Sequence, residues 1–235
     1  VKVKFATDVG RVRKINEDSL WVGSQCLVIC DGMGGHLAGE VASNLAIGAI
    51  KDFPFSGQDP ASEIRKAIER AQKEILEASS RQEEYKGMGS TITLAWIEPL
   101  SSGEFELTLG HVGDSRAYLF HDGKLEQITN DHSMVAELLR LGTITKEEAK
   151  THKKRHILTQ ALGSEDIEVE LKKRILLPGS VLLLCSDGLT DVVTDDQIAQ
   201  ILKDAHGEES VAEKLVTLAN DLGGPDNISI IIALF

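Results

Sequence analysis

The sequence predicts an α+β sandwich, two packed antiparallel sheets with helices on their outer faces. Two observations carry that expectation. Between residues 91 and 129 the apolar period is two, as in strands, while the stretches on either side of it carry helical periodicity. Helix pairs, not single crossover helices, stand amid these strands.

In chain order, Cys26 to Cys30 reads as a short apolar strand, and residues 38–51 as a helix of small apolar residues packed closely on something. Asp59-Pro60 starts a clearer helix, with Asp59 as N-cap and Pro60 as first helical residue. Its Ile64, Ala67, Ile68, Ala71 and Ile75 form one face. Ile92, Leu94 and Trp96 then alternate with Thr91, Thr93 and Ala95, and Phe105, Leu107 and Leu109 with Glu106 and Thr108. Ser101-Ser102-Gly103 turns one strand into the next, and Asp122-Gly123 is a type I′ hairpin signal, so the stretch reads as an antiparallel meander.

Residues 131–163 read as helical and irregular, with a Thr145-x-x-Glu148 capping box. Residues 167–176 and 180–185 read as an antiparallel pair joined by Pro178-Gly179. Two helices follow, opened by the boxes Thr194-x-x-Gln197 and Ser210-x-x-Glu213, the second with Val211, Leu215, Leu218, Ala219 and Leu222 as its apolar positions. Ile228 to Leu234 forms a last, wholly apolar strand.

The 235 residues are 42% hydrophobic and 26% charged, the make-up of a globular chain with a proper core. No apolar run approaches the ~20 residues of a membrane helix, and Val1-Lys2-Val3-Lys4 leads into no signal-peptide core. A net charge of −12 argues against nucleic-acid binding, which needs a basic face. Solubility accounts for that charge, and so would carboxylates that bind cations; charge alone does not choose. Cys26, Cys30 and Cys185 make no disulfide framework and fit a reducing, cytoplasmic setting. None begins the Cys-x5-Arg loop of cysteine-based phosphatases, because Gly32, His36 and Asp191 occupy the sixth positions on.

Acidic clusters share one local grammar, an aspartate at a strand end or turn, usually beside glycine. They are Asn16-Glu17-Asp18, Asp31-Gly32-Met33-Gly34-Gly35-His36, Gly113-Asp114-Ser115-Arg116, Ser186-Asp187-Gly188 and Gly223-Gly224-Pro225-Asp226-Asn227. Any one Asp-Gly is an ordinary turn, by roughly ten to one. Asp31 and Asp187, however, terminate runs of Val, Leu, Ile and Cys, the mark of central buried strands. A carboxylate there needs a partner. Only Arg13 and Arg116 lie close by in sequence, whereas hard divalent cations prefer oxygen ligands.

With Gly89-Ser90-Thr91 and Arg13 added, these motifs in this order make the chain closely resemble the metal-dependent protein phosphatases, the PPM or type 2C family, over nearly its whole length. The resemblance implies a four-layer α-β-β-α sandwich of two antiparallel sheets flanked by helices, with a helical and irregular flap at about 131–156. Residues 1–235 would form a single catalytic domain. It implies two core Mn²⁺ or Mg²⁺ ions and a possible third. Asp31 would bridge the two core ions, the Gly32 carbonyl would bind one of them, and Asp187 and Asp226 the other. Asp114, with Asp187, matches the site of the third. Asp18 and Glu17 stand where the family places acidic groups around the ions' water; Asp18 counts with the metal set, while Glu17 and Asn227 support it from behind. Arg13 would grip phosphate through its fork of N–H donors, and His36 would protonate the departing alkoxide. The other six histidines read as structural or solvated. Ser164, where many eukaryotic members carry aspartate, points to the bacterial branch.

The implied function is hydrolysis of phosphoserine and phosphothreonine in proteins, a serine/threonine kinase or its targets among the substrates, by a cytoplasmic monomer with no nucleic-acid or membrane partner. Three rivals stand beside it. A stress-response phosphatase acting on an anti-sigma-factor antagonist would generally lack Arg13 and His36. A catalytically weak or inactive binding module would have lost core aspartates. A nucleotide binder fails on spacing, since leucine stands at position 37 after Gly32-x-Gly34 and no P-loop exists.

Overall fold

The computed structural model describes residues 1–35, 38–207 and 209–235. In chain order the elements are β1 (Lys2–Asp8), β2 (Asp18–Val22), β3 (Cys26–Met33), α1 (Ala38–Lys51), α2 (Pro60–Arg81), β4 (Gly89–Ser90), β5 (Ile92–Pro99), β6 (Phe105–Val112), β7 (Arg116–His121) and β8 (Lys124–Gln127). There follow α3 (Met134–Arg140), α4 (Lys146–Lys150), β9 (Glu170–Leu176), β10 (Val181–Cys185), α5 (Asp187–Thr190), α6 (Asp195–Leu202), α7 (Val211–Asp221) and β11 (Ile228–Leu234).

Local signals explain most boundaries. Asp59 caps α2 by accepting from the Ser62 amide, with Pro60 in the first turn. Its Ile64, Ile68 and Ile75 are fully buried, each stabilising the fold by roughly 1.5–3 kcal/mol. Asp122 and Gly123 both adopt positive φ, 49° and 75°, as the β7–β8 hairpin requires. The boxes at Thr145 and Thr194 are both formed. The one at Ser210 is not: Ser210 caps α7 with no side-chain hydrogen bond to the helix, its backbone (φ −98°, ψ 25°) being unlike the extended cap conformation.

The strands form two antiparallel sheets, β1-β11-β10-β7-β8 and β2-β3-β5-β6-β9, with β4 added to β3. Their inner faces meet in a core containing Ile29, Ala95, Leu107, Leu109, Leu182, Leu184 and Ile231. Helices α1 and α2 cover the outer face of the second sheet over Val28, Leu94 and Ile92. Helices α5, α6 and α7 cover the first over Leu183, Ile230 and Ile232. This is the expected four-layer sandwich.

Two pairings differ from the sequence reading. The meander is broken, because β6 pairs with β9 in one sheet and β7 with β10 in the other. Likewise β9 and β10 are not partners, and Pro178-Gly179 carries the chain from sheet to sheet. Sheets pack about 10 Å apart, and three extended residues reach that far. Gly113-Asp114-Ser115 is therefore a crossover with the length of a hairpin turn. Asp31 also lies within β3, not beyond it, since Gly32 and Met33 pair with Ser90 and Gly89.

The segment between β8 and β9 spans the two sheets. Its base is closed where Thr159 N–H donates to His132 O (2.9 Å) and Met134 N–H to Ile157 O (2.9 Å). Above that base, Val135 is the one buried residue of α3 and Leu141 is 72% exposed.

Candidate metal centre

Five aspartates from separate stretches of the chain converge at one end of the sandwich. The β2–β3 register sets Asp18 opposite Asp31. Asp31 is pinned by its backbone: its amide donates to Thr91 Oγ1 (3.0 Å), and its carbonyl accepts from Ser90 Oγ (3.0 Å) and Thr91 N–H (2.8 Å). A side chain at position 32 would lie on the Gly39 carbonyl and 2.5 Å from Glu17 O, so only glycine lets α1 approach the strand. Asp187 opens α5 immediately after β10, and Gly188 lets that turn pack on the Asn227 carbonyl. Asp114 arrives on the crossover between sheets.

Asp226 precedes β11, and its Oδ1 accepts from Asn227 N–H (2.8 Å). The Asn227 amide braces this corner. Its oxygen accepts from Glu17 N–H (2.8 Å) and its nitrogen donates to Val9 O and Ile15 O (both 2.9 Å), which ties the loop that carries Arg13 to Glu17 and Asp226. Arg13 Nη2 donates to Asp226 Oδ2 (2.7 Å), with Nη1 3.7 Å from Glu17 Oε2. His36 lies outside the described residues.

Asp191 was missed in the sequence. It follows Asp187 by one helical turn, its amide donating to Asp187 O (2.8 Å). The i,i+4 spacing of two aspartates was the available signal. Ser186 stands in one of the acidic clusters, but its bond to another of them has no sequence signal: its Oγ donates to Asp18 Oδ2 (2.8 Å). Arg116, by contrast, makes no ion pair with any of the five among the described residues. Its guanidinium is spent on Asp131 (2.7 and 2.9 Å).

The electrostatics follow from burial of like charges. Burial, then repulsion from Asp18, Asp187, Asp114 and Asp226, holds the Asp31 carboxyl well above the usual carboxylate range. Burial, then Asp114, Asp191, Asp226 and Asp18, does the same for Asp187. Burial pushes Asp18 up to about 6 despite hydrogen bonds from Ser186 and Ser229. Burial and Asp131 push Asp114 up to about 7, with Arg116 opposing. Burial likewise raises Glu17, against the pull of Arg13. Asp18 Oδ1 and Asp187 Oδ1 are buried with no hydrogen-bond partner among the described residues. An all-oxygen donor set with orphaned acceptors and mutual repulsion fits hard divalent cations such as Mg²⁺ or Mn²⁺.

A pH dependence follows for the cation-free protein. Asp18 and Asp114 hold protons to about 6 and about 7 when folded, against 3.8 as the ordinary value. The folded state thus binds more protons than the unfolded one between those limits, and stability falls as pH rises from about 4 through about 7. Chelated protein should melt several degrees lower at pH 7.5 than at pH 5, and Mn²⁺ should raise the melting temperature most at the higher pH. A melting temperature of chelated protein that rises over that range contradicts the cluster electrostatics.

Fold and centre together define a carboxylate-lined divalent-cation protein built on a four-layer sandwich. The family described as Protein phosphatase 2C matches residues 13–220, and the chain belongs to it. It is 41% identical over 229 residues to the serine/threonine protein phosphatase PstP of Mycobacterium tuberculosis, covering 97% of this chain and 43% of that protein. The chain thus spans less than half the length of that relative. With the serine/threonine phosphatase stp of Listeria monocytogenes it shares 36% identity over 97% of this chain and 94% of the relative. A crystal structure of the PstP catalytic domain in complex with two manganese ions superposes with TM-score 0.89 at 36% identity, covering 98% of this chain and 96% of that one.

Proposed function

We propose that residues 1–235 are a single phosphatase catalytic domain that hydrolyses phosphoserine and phosphothreonine in proteins with the help of divalent cations. One observation carries this reading: carboxylates from five segments crowd one another, mostly buried, and among the described residues only Arg13 makes an ion pair with any of the five aspartates, while Arg116 acts on Asp114 from a distance. The structures of relatives support it, one of them a phosphatase solved with two manganese ions.

Asp31, the Gly32 carbonyl, Asp187 and Asp226 would hold two Mg²⁺ or Mn²⁺ ions, with Asp18 beside them. Asp114, Asp187 and Asp191 would hold a third. Bound ions supply a water of lowered pKa and charge to clamp phosphoryl oxygens. Glu17 and Asn227 keep the ligands in place. Arg13, 47% exposed at the rim and held by Asp226 and Glu17, presents the rest of its fork to the phosphate. His36 delivers a proton to the departing serine or threonine oxygen. Substrates would be phosphoproteins, including a kinase or its targets. The acting form is a monomer in the cytoplasm, where the free, buried Cys26, Cys30 and Cys185 stay reduced. No helix among the described residues is long and apolar enough to cross a membrane.

Phosphate release from a panel of phosphopeptides tests the reading. Phosphoserine and phosphothreonine peptides should turn over with Mn²⁺ or Mg²⁺; inertness of the whole panel with either ion would sink it.

The segment 131–156 buries little beyond its stapled base and stands beside the centre, the character of a substrate-selecting flap. Exchanging it for a relative's segment should change preference among phosphoproteins while leaving hydrolysis of a small aryl phosphate within a few-fold. Parallel loss of both activities, measured with saturating metal, would make it part of the centre's architecture instead.

A further inference from the structure

The charge of the chain changes sign on the returning arm of the flap. The net charge is −12, yet between Glu148 and Glu165 stand Lys150, Lys153, Lys154 and Arg155 with no acidic residue among them. The side chains of Lys153, Lys154 and Arg155 are exposed. Among the described residues none of the three pairs with a carboxylate. The basic run on β9 behaves differently, since Lys172 pairs with Glu170, Lys173 with Glu106 and Arg174 with Glu126. Adjacent cations repel one another, and an anionic partner relieves that repulsion.

The arm is held in shape and held beside the centre. Lys154 N–H donates to His152 Nδ1 (3.2 Å), Arg155 N–H to His152 O (3.1 Å) and Ile157 N–H to Lys154 O (3.1 Å), so its turns form before any partner arrives. Such preorganisation lowers the entropy cost of docking. Next along the chain, His156 Nδ1 lies 3.8 Å from Asp191 Oδ2, and Asp191 stands one helical turn beyond Asp187. Lys153 precedes His156 by three residues, which keeps their Cα atoms within about 11 Å. An extended peptide covers that distance in about three or four residues.

We propose that Lys153, Lys154 and Arg155 form a docking surface for acidic segments of the phosphoprotein substrate, within about five residues of the phosphoserine or phosphothreonine. Carboxylates or a second phosphate at that distance meet the three cations, whereas lysines there are repelled. The acidic remainder of the chain turns long polyanions away, so the arm suits a short acidic segment. This rests on the phosphatase reading above and names a substrate class for it.

The test compares phosphothreonine peptides that differ only in the flank, which carries glutamates, a second phosphate or lysines. The whole chain is assayed with saturating Mn²⁺. Exposed charge pairs contribute up to about fivefold each, so kcat/KM should be about tenfold higher for the acidic flanks than for the lysine flank. At about 0.5 M salt the gap should close to within about threefold. Lys153→Gln with Lys154→Gln and Arg155→Gln should level the peptides, and the three corresponding changes to Glu should invert their order. Hydrolysis of a small aryl phosphate and Mn²⁺ affinity should stay within about twofold in both variants. Preference for either anionic flank supports the proposal, and the flank preferred tells carboxylate from second phosphate. Equal kcat/KM for all flanks in wild type, or an order that survives charge reversal, overturns the docking surface and leaves the phosphatase reading standing. Binding to anionic lipid vesicles that is lost in the Glu variant, with peptide order unchanged, would assign the arm to a membrane surface and overturn it too. Failure of wild type to hydrolyse every peptide and the aryl phosphate overturns both readings.

Discussion

Asp31→Asn and Asp187→Asn are each expected to lower phosphopeptide hydrolysis by on the order of 10³-fold and to remove Mn²⁺ binding with it. The same substitutions should stabilise the cation-free protein. Each carboxyl sits buried among like charges and keeps its proton far above the ordinary range. An amide occupies the same space without needing a proton, so chelated Asp31→Asn should melt above chelated wild type at pH 7.5. Most substitutions at buried positions do the reverse. Saturating Mn²⁺ should invert the order, because only wild type gains the stability of bound ions. Thermal melts of both proteins, with and without Mn²⁺, check this. A variant that melts lower in both conditions would mean that Asp31 serves the fold and not a cation.

His36→Ala is expected to lower kcat by about 10²-fold or more on phosphoserine peptides and alkyl phosphates, and far less on an aryl phosphate. The serine alkoxide is a poor leaving group that needs a proton as the bond to phosphorus breaks. A phenolate leaves without one. Measuring kcat for both substrate types on one preparation separates proton donation from a general disturbance of the centre. Equal losses on the two substrates would remove His36 from the acid role.

Much of the centre was legible because its residues carry a local signal. Asp31 and Asp187 end apolar runs beside glycine, and the contacts at Gly32 and Gly188 show why glycine stands there: backbone of α1 in one case and of Asn227 in the other occupies the space of a side chain. Helix starts at Asp59, Thr145 and Thr194 were legible for the same reason. Sheet membership was not. Ile92, Leu94 and Trp96 pack under helices while Ala95 and Ile97 pack between sheets, so both faces of β5 are apolar and alternation says nothing about which sheet a strand joins. Crossovers as short as hairpin turns then hid the two sheet changes. Asp191 escaped because its meaning is tertiary: an aspartate one turn into a helix reads as solvated until the fold sets it against Asp187.

The central claim is that these carboxylates exist to hold cations that the reaction requires. Stripping the protein by exhaustive chelation and desalting, then following phosphate release from a phosphothreonine peptide, tests it most directly. No release from the stripped protein, with activity returning as two tight equivalents of Mn²⁺ bind, is the predicted result. Full activity after complete removal of divalent ions would contradict it.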